Sequence, residues 1–404
     1  MRKFLLIILL LAPGLVVAAE SSDDASAQQT LSGIDVLRQA DFEPLAGRRV
    51  GLVTNHTGID RNGDSTLQLL ADAPGVELVA LFSPEHGIEG KLDIPEIDHG
   101  EDGTTGLPIY SLYGDTRSPE PWMLEGIDTL VFDIQDIGAR FYTYISTMGL
   151  AMTSAAEHGK RFVVLDRPNP INGIDVGGPV ADADLLSFVA WHPLPTRHGM
   201  TVGELAKMFR AELELDLDLQ VVELRHWSRA DFFDATGQRW VNPSPNMRNL
   251  NQALLYPGIG LLETTNLSVG RGTDTPFEII GAPWLDGDAL ARDLNRLRIP
   301  GVAFISVTFT PDASKFEGER CGGINILITD RAAFDPVRTG FQVALQLRHD
   351  YPDTWDIEPY TRLLANKAVL EALREGKDID ALVDTYQAEL DTFRERRAAF
   401  LRYD

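Results

Sequence analysis

A single cysteine, Cys321, rules out an internal disulfide, so packing alone must hold the chain together whatever its redox surroundings. Positive charge is also scarce. Thirty-six Lys and Arg stand against 60 Asp and Glu, giving a formal net charge of −24 at pH 7. So acidic a surface repels nucleic acid and anionic lipid heads, which argues against either as a partner. A local pocket can still be basic, and Arg140, Arg167, Arg197 and Arg271 all lie beside polar clusters. Beyond the first 19 residues no apolar run is long enough to span a bilayer. The phosphate-binding motifs are missing too. The first strand-to-helix turn has no G-x-G-x-x-G, and Gly270-Arg271-Gly272-Thr273 lacks the Gly-Lys-Ser/Thr ending of a Walker loop, so no nucleotide cofactor is expected. No G-x-S-x-G elbow marks a serine esterase.

What is present begins with an export pattern. Arg2 and Lys3 precede an apolar stretch, and Val17-Ala18-Ala19 offers small residues suited to cleavage before Glu20. Residues 1–19 therefore read as a signal peptide, and the periplasm is the expected location, with no membrane segment left after cleavage. The Ser-, Asp-, Ala- and Gln-rich residues 20–30 read as a disordered tail. The 404 residues have room for about two domains.

From residue 31 strands and helices alternate. Helices are expected at 33–39, 66–71, 121–125, 144–158 and 202–212, and strands at 49–53, 76–82, 129–132, 161–165 and 221–224. Such alternation means βαβ units: an α/β fold with a parallel sheet and helices on both faces. The rhythm breaks at Asn242-Pro243-Ser244-Pro245-Asn246, which sets the division into 31–250 and a smaller α+β domain, 251–404. The second part is expected to hold a helix at 288–297, strands at 302–309 and 323–328, and helices at 336–349, 360–374 and 379–401.

Four apolar strands end abruptly in polar clusters: Thr54-Asn55-His56-Thr57-Gly58, Ser83-Pro84-Glu85-His86-Gly87, Asp133-Ile134-Gln135-Asp136 and Asp166-Arg167-Pro168-Asn169-Pro170. In an open parallel sheet these ends share one edge, where ligands of such folds bind. Glu85 follows Pro84 at the end of a buried strand, where apolar neighbours favour a carboxyl that keeps its proton and can donate it. A loop-fixing carboxylate is the alternative. His86 could tune it or bind substrate. Asp133 and Asp136 offer further carboxylates, while Arg140 and Tyr142 offer a carboxylate clamp and an aromatic surface; an Asp136–Arg140 salt bridge is the structural alternative. Two prolines stiffen the exit at Asp166 and Asn169. Thr201 and Glu204 have capping-box spacing, and His198 precedes that helix. The irregular stretch 87–119 reads as a wall of the site. In 263–278, Asn266, Arg271, Thr273 and Glu278 supply donors and charge among glycines that allow close backbone approach.

Taken together and in this order, these clusters, the run Phe132 to Tyr144 and the stretch 263–278 resemble the bacterial exo-β-N-acetylmuramidases, a family long catalogued as a domain of unknown function. The resemblance covers residues 49–404. It implies a Rossmann-like first domain, a smaller second domain completing a cleft, and removal of terminal β-linked N-acetylmuramic acid from the non-reducing ends of peptidoglycan fragments in cell-wall turnover or recycling. Its motif makes Glu85 the general acid, with Asp133 or Asp136, or the substrate's own acetamido group, as the second participant. The lactyl carboxylate of muramic acid would then meet Arg140 or Arg271. Asn55, His56, His86, Gln135, Tyr142, Asp166, Asn169, His198, Asn266, Thr273 and Glu278 complete the expected substrate contacts. Two other readings stand beside it: a periplasmic sugar- or muropeptide-binding protein without chemistry, and a metal-dependent hydrolase using His56, His86, Asp133, Asp166 and His198.

Overall fold

The computed structural model describes residues 29–404. The expected signal peptide, and all but the last two residues of the expected disordered tail, lie outside them. Thr30, inside that tail, is buried and donates to the carbonyl of His226.

The first half is built around seven strands: β1 (Arg49–Thr54), β2 (Glu77–Ser83), β3 (Gly100–Glu101), β4 (Pro108–Ser111), β5 (Thr129–Asp133), β6 (Arg161–Leu165) and β9 (Leu219–Val222). A small ribbon of β7 (Gly177–Val180) and β8 (Pro195–Arg197) intervenes between the last two. The sheet order is β3-β4-β2-β1-β5-β6-β9, parallel throughout except that β3 runs against β4. Strand order reverses between β1 and β5, which is the switch point of a doubly wound fold. The expected parallel sheet is therefore a mixed one. Its extra edge, β3 and β4, comes from the stretch read as irregular, because two and four residues are too few to show a period in sequence.

Alternation along each strand builds two apolar faces. Val50, Leu52, Leu81, Val131, Val163 and Leu165 face helices α1 (Gly33–Gln39) and α2 (Thr66–Ala71). Val53, Phe82, Leu130, Phe132, Phe162 and Val164 face α3 (Tyr144–Glu157) and α4 (Val202–Glu212). Each such side chain removed from water contributes about 1.5–3 kcal/mol. Helix α4 opens with the expected capping box, Thr201 and Glu204 bonding reciprocally. Residues 121–124 form a 3-10 turn instead of the expected α-helix.

The second half carries α5 (Leu250–Ile259), β10 (Ile279–Ala282), α6 (Gly287–Arg296), β11 (Val302–Phe309), β12 (Cys321–Ile328), α7 (Pro336–Asp350), α8 (Thr361–Leu364), α9 (Lys367–Glu375), α10 (Ile379–Asp384) and α11 (Gln387–Ala398). Its strands form an antiparallel sheet, β10-β12-β11. Two expected C-terminal helices are each broken in two. Ala365 takes a left-handed conformation and Asn366 caps α9, while Tyr386 leaves helical geometry between α10 and α11. The larger core runs from the first sheet without interruption into α5, β12 and α7. The chain then returns to its first half: Tyr403 donates to Asp166 at 2.5 Å and accepts from the amide of Leu224 at 3.0 Å, and the amide of Arg229 donates to the carbonyl of Asp404. Among the described residues no helix is long and apolar enough to cross a membrane.

Candidate active site

A hollow of about 160 Å3 lies where the end of β2, the buried segment after β5 and the second half of the chain meet. Glu85 and His86 enter from the turn after β2. That turn is closed by the amide of Gly87 on Pro84 O and by His86 Nδ1 against Leu92 O at 2.6 Å, with His86 itself at φ +70. From the segment after β5 come Tyr142, Thr143 and Tyr144, each at least nine-tenths buried. Gly138, at φ +85, lets that segment turn inward; a Cβ there would meet Asn169 Oδ1 at 2.6 Å. Ser244, Tyr256, Glu263, Arg271 and Arg362 close the other side.

The Thr143 hydroxyl donates to Glu85 Oε2, fixing that carboxyl oxygen. Tyr144 donates to Pro243 O at 2.6 Å, which ties the proline loop to the site. Tyr142 meets Tyr144 and Tyr256 edge-on, with ring centroids 5.0 and 5.9 Å apart, and Tyr256 meets Phe277 at 4.7 Å. Burial holds these three phenols well above their usual range, so they stay neutral. Burial first, and then the charge of Glu85, pushes the Tyr113 phenol up to about 12. Arg271 Nε lies 2.5 Å from Glu263 and its Nη1 3.4 Å from Asp93, with the guanidinium 5.6 Å from the Phe277 ring centre. Burial opposes its charge, but Glu263, Tyr256 and Asp93 outweigh that and hold it above the ordinary arginine range.

Of the residues expected from sequence, the structure brings Glu85, His86, Tyr142 and Arg271 to this hollow. The convergence of Asp133 and Asp136 with Glu85 is not what it builds. Asp133 is fully buried at the switch point, accepting from Arg167 Nε at 2.5 Å and Nη2 at 2.9 Å and from Thr66. Asp136 accepts from the amide of Gly138 and lies 3.3 Å from His198 Nε2. Arg140 is not a clamp for a ligand, since its guanidinium donates to four main-chain carbonyls, of Pro179, Leu194, Leu363 and Leu364. The Asp136–Arg140 bridge does not form.

The remaining candidates are engaged by main chain or by neighbouring side chains. Asn55 Oδ1 accepts from Thr57, Gln135 donates to the carbonyls of Asp136 and Pro168, and Asn169 donates to Met200 O. Asp166 accepts from Thr201 and the Gly203 amide at the start of α4. His56 sits 2.7 Å from Asn242 O and packs on Gly90, and burial lowers its pKa. Asn266 bridges Thr354 and Asp356, Thr273 closes its own turn on Gly270 O, and Glu278 accepts from Asn249 and Gln252. Among the described residues no three His, Cys, Asp or Glu side chains are grouped to hold a metal ion. Sequence reasoning missed Thr143, Asp93, Ser244, Tyr256, Glu263 and Arg362 as site residues. Thr143 and Glu263 lay within motifs already singled out, whereas Arg362 sits in an ordinary helical stretch with no local signal.

Two family models match in succession: exo-beta-N-acetylmuramidase NamZ, N-terminal, over residues 50–251, and its C-terminal counterpart over 254–403. The chain is 41% identical over 399 residues to the peptidoglycan beta-N-acetylmuramidase NamZ of Bacillus subtilis (strain 168), covering 96% of each protein. Two crystal structures of DUF1343 family proteins from Bacteroides fragilis share its fold. One has a TM-score of 0.87 at 38% identity and the other 0.76 at 28%, each covering 93% of this chain and 99% of the other. On these matches the chain belongs to the exo-β-N-acetylmuramidase NamZ family, whose members are glycoside hydrolases.

Proposed function

We propose that this protein removes terminal β-linked N-acetylmuramic acid from the non-reducing ends of peptidoglycan fragments, working in the periplasm after export and serving cell-wall turnover or recycling. The observation that carries the reading is Glu85, oriented by Thr143 inside a hollow walled by tyrosines. Glycoside hydrolysis needs a proton on the leaving oxygen and stabilisation of positive charge at the anomeric carbon. Glu85 delivers the proton. Glu263, a second carboxylate facing the same hollow and braced by Arg271 at 2.5 Å, takes the second role, either stabilising that charge or orienting the substrate's acetamido group. The aromatic walls exclude water and pack the apolar face of the ring.

The test is turnover of a chromogenic β-N-acetylmuramide beside its N-acetylglucosaminide analogue. Hydrolysis of the muramide alone, abolished in Glu85→Gln with muramic acid binding retained, supports the proposal. Equal turnover by Glu85→Gln defeats it.

A further inference from the structure

We propose that Arg362 reads the lactyl carboxylate and is the residue by which this site selects muramic acid over glucosamine; this rests on the function proposed above. Three cationic or potentially cationic side chains line the hollow: His86, Arg271 and Arg362. His86 already uses Nδ1 on a main-chain carbonyl. Arg271 is committed to Glu263 and Asp93. Arg362 forms no ion pair and no side-chain hydrogen bond among the described residues, and it is exposed to the hollow's mouth. Glu85, Asp93 and Glu263 line the same hollow, yet none of them is ion-paired with Arg362. An incoming carboxylate supplies what it lacks, in the bidentate geometry that guanidinium favours.

The scaffold beneath Arg362 is built for position. It lies on α8, a single turn whose carbonyls at Leu363 and Leu364 are held by Arg140 Nη2 at 2.9 and 2.6 Å. Arg140 Nη1 ties the same point to Pro179 and Leu194 in the first half. The arginine that sequence placed against the substrate instead fixes the turn presenting another arginine to it. Glu85 and Arg362 line the same hollow of about 160 Å3, so the basic group and the proton donor share one space.

The experiment compares wild type, Arg362→Ala, Arg362→Lys and Arg271→Ala on the chromogenic muramide and on the same compound with its lactyl carboxyl converted to the methylamide. Binding of free muramic acid and N-acetylglucosamine is measured by calorimetry alongside. The expected result is a rise of roughly ten- to a hundredfold in KM for the acid in Arg362→Ala, the scale of one charged hydrogen-bonded contact. Turnover at saturation should change little, lysine should restore part of the loss, and the variant should no longer distinguish acid from amide. If Arg362→Ala keeps the wild-type acid-to-amide ratio, or if Arg271→Ala alone abolishes it, the assignment to Arg362 is wrong and the muramidase reading stands. If wild type neither hydrolyses the muramide nor binds muramic acid better than N-acetylglucosamine, both are wrong.

Discussion

Thr143, at the entrance to α3, donates its hydroxyl hydrogen to Glu85 at the exit of β2, so a helix entrance and a strand exit hold one carboxyl between them. Losing the acid should cost turnover far more than losing its tether. Glu85→Gln is expected to lower kcat by about 10²–10⁴ with muramic acid affinity retained. Thr143→Val is expected to lower it by about ten- to a hundredfold through misplacement alone. Steady-state kinetics and calorimetry on both variants check this, and a Thr143→Val enzyme with unchanged kcat would show the tether to be idle.

Asp133 should behave as a structural residue. It is fully buried against Arg167, and removing one member of such a pair leaves an uncompensated charge. Asp133→Asn is expected to lose about 3–5 kcal/mol of stability. Urea unfolding measures it; a normally stable but inactive variant would return Asp133 to the chemistry.

Asp166 makes stability depend on pH. Burial, offset in part by Tyr403 and the Gly203 amide, pushes its carboxyl up from 3.8 to about 7. The folded state therefore holds this proton more tightly than the unfolded state. Its contribution is complete below pH 3.8 and is lost as pH rises towards about 7. Across that window the urea midpoint of wild type should fall relative to Asp166→Asn, and parallel curves would disprove the link.

Arg140 should matter without touching substrate. Burial pushes its guanidinium down to about 9, and among the described residues its direct partners are all carbonyls. Lysine lacks the fork needed to reach all four, and each carbonyl left unpaired costs about 1–3 kcal/mol. Arg140→Lys should melt earlier and, because α8 loosens, show a larger rise in KM for the chromogenic muramide than for its lactyl methylamide.

The layered architecture was legible because buried parallel strands announce themselves as short apolar runs and because turn chemistry marks their ends. Thr201 and Glu204 gave both the start of α4 and the role of the glutamate correctly. Glu85 was legible as a member of a strand-end cluster. The partners of the other clusters were not. Asp133, Asp136 and Asp166 share that edge in sequence, yet each lies against a neighbour brought from at least one other element, and only tertiary structure decides which polar strand end faces inward. Arg362 was invisible for a related reason, since its significance lies in lacking a partner that its surroundings would normally supply.

The return of Tyr403 and Asp404 to Asp166, Leu224 and Arg229 means that the smaller lobe is moored at its far end as well as midway, where Arg140 holds the carbonyls of Leu363 and Leu364. Fastened at these two points, and with one core running through both halves, the lobe is braced against a clamshell opening. Sugars must pass a standing doorway whose shape was settled during folding, so the walls do not have to be brought together again at each encounter. Selectivity then belongs to the fixed fittings of the threshold, not to a closing movement.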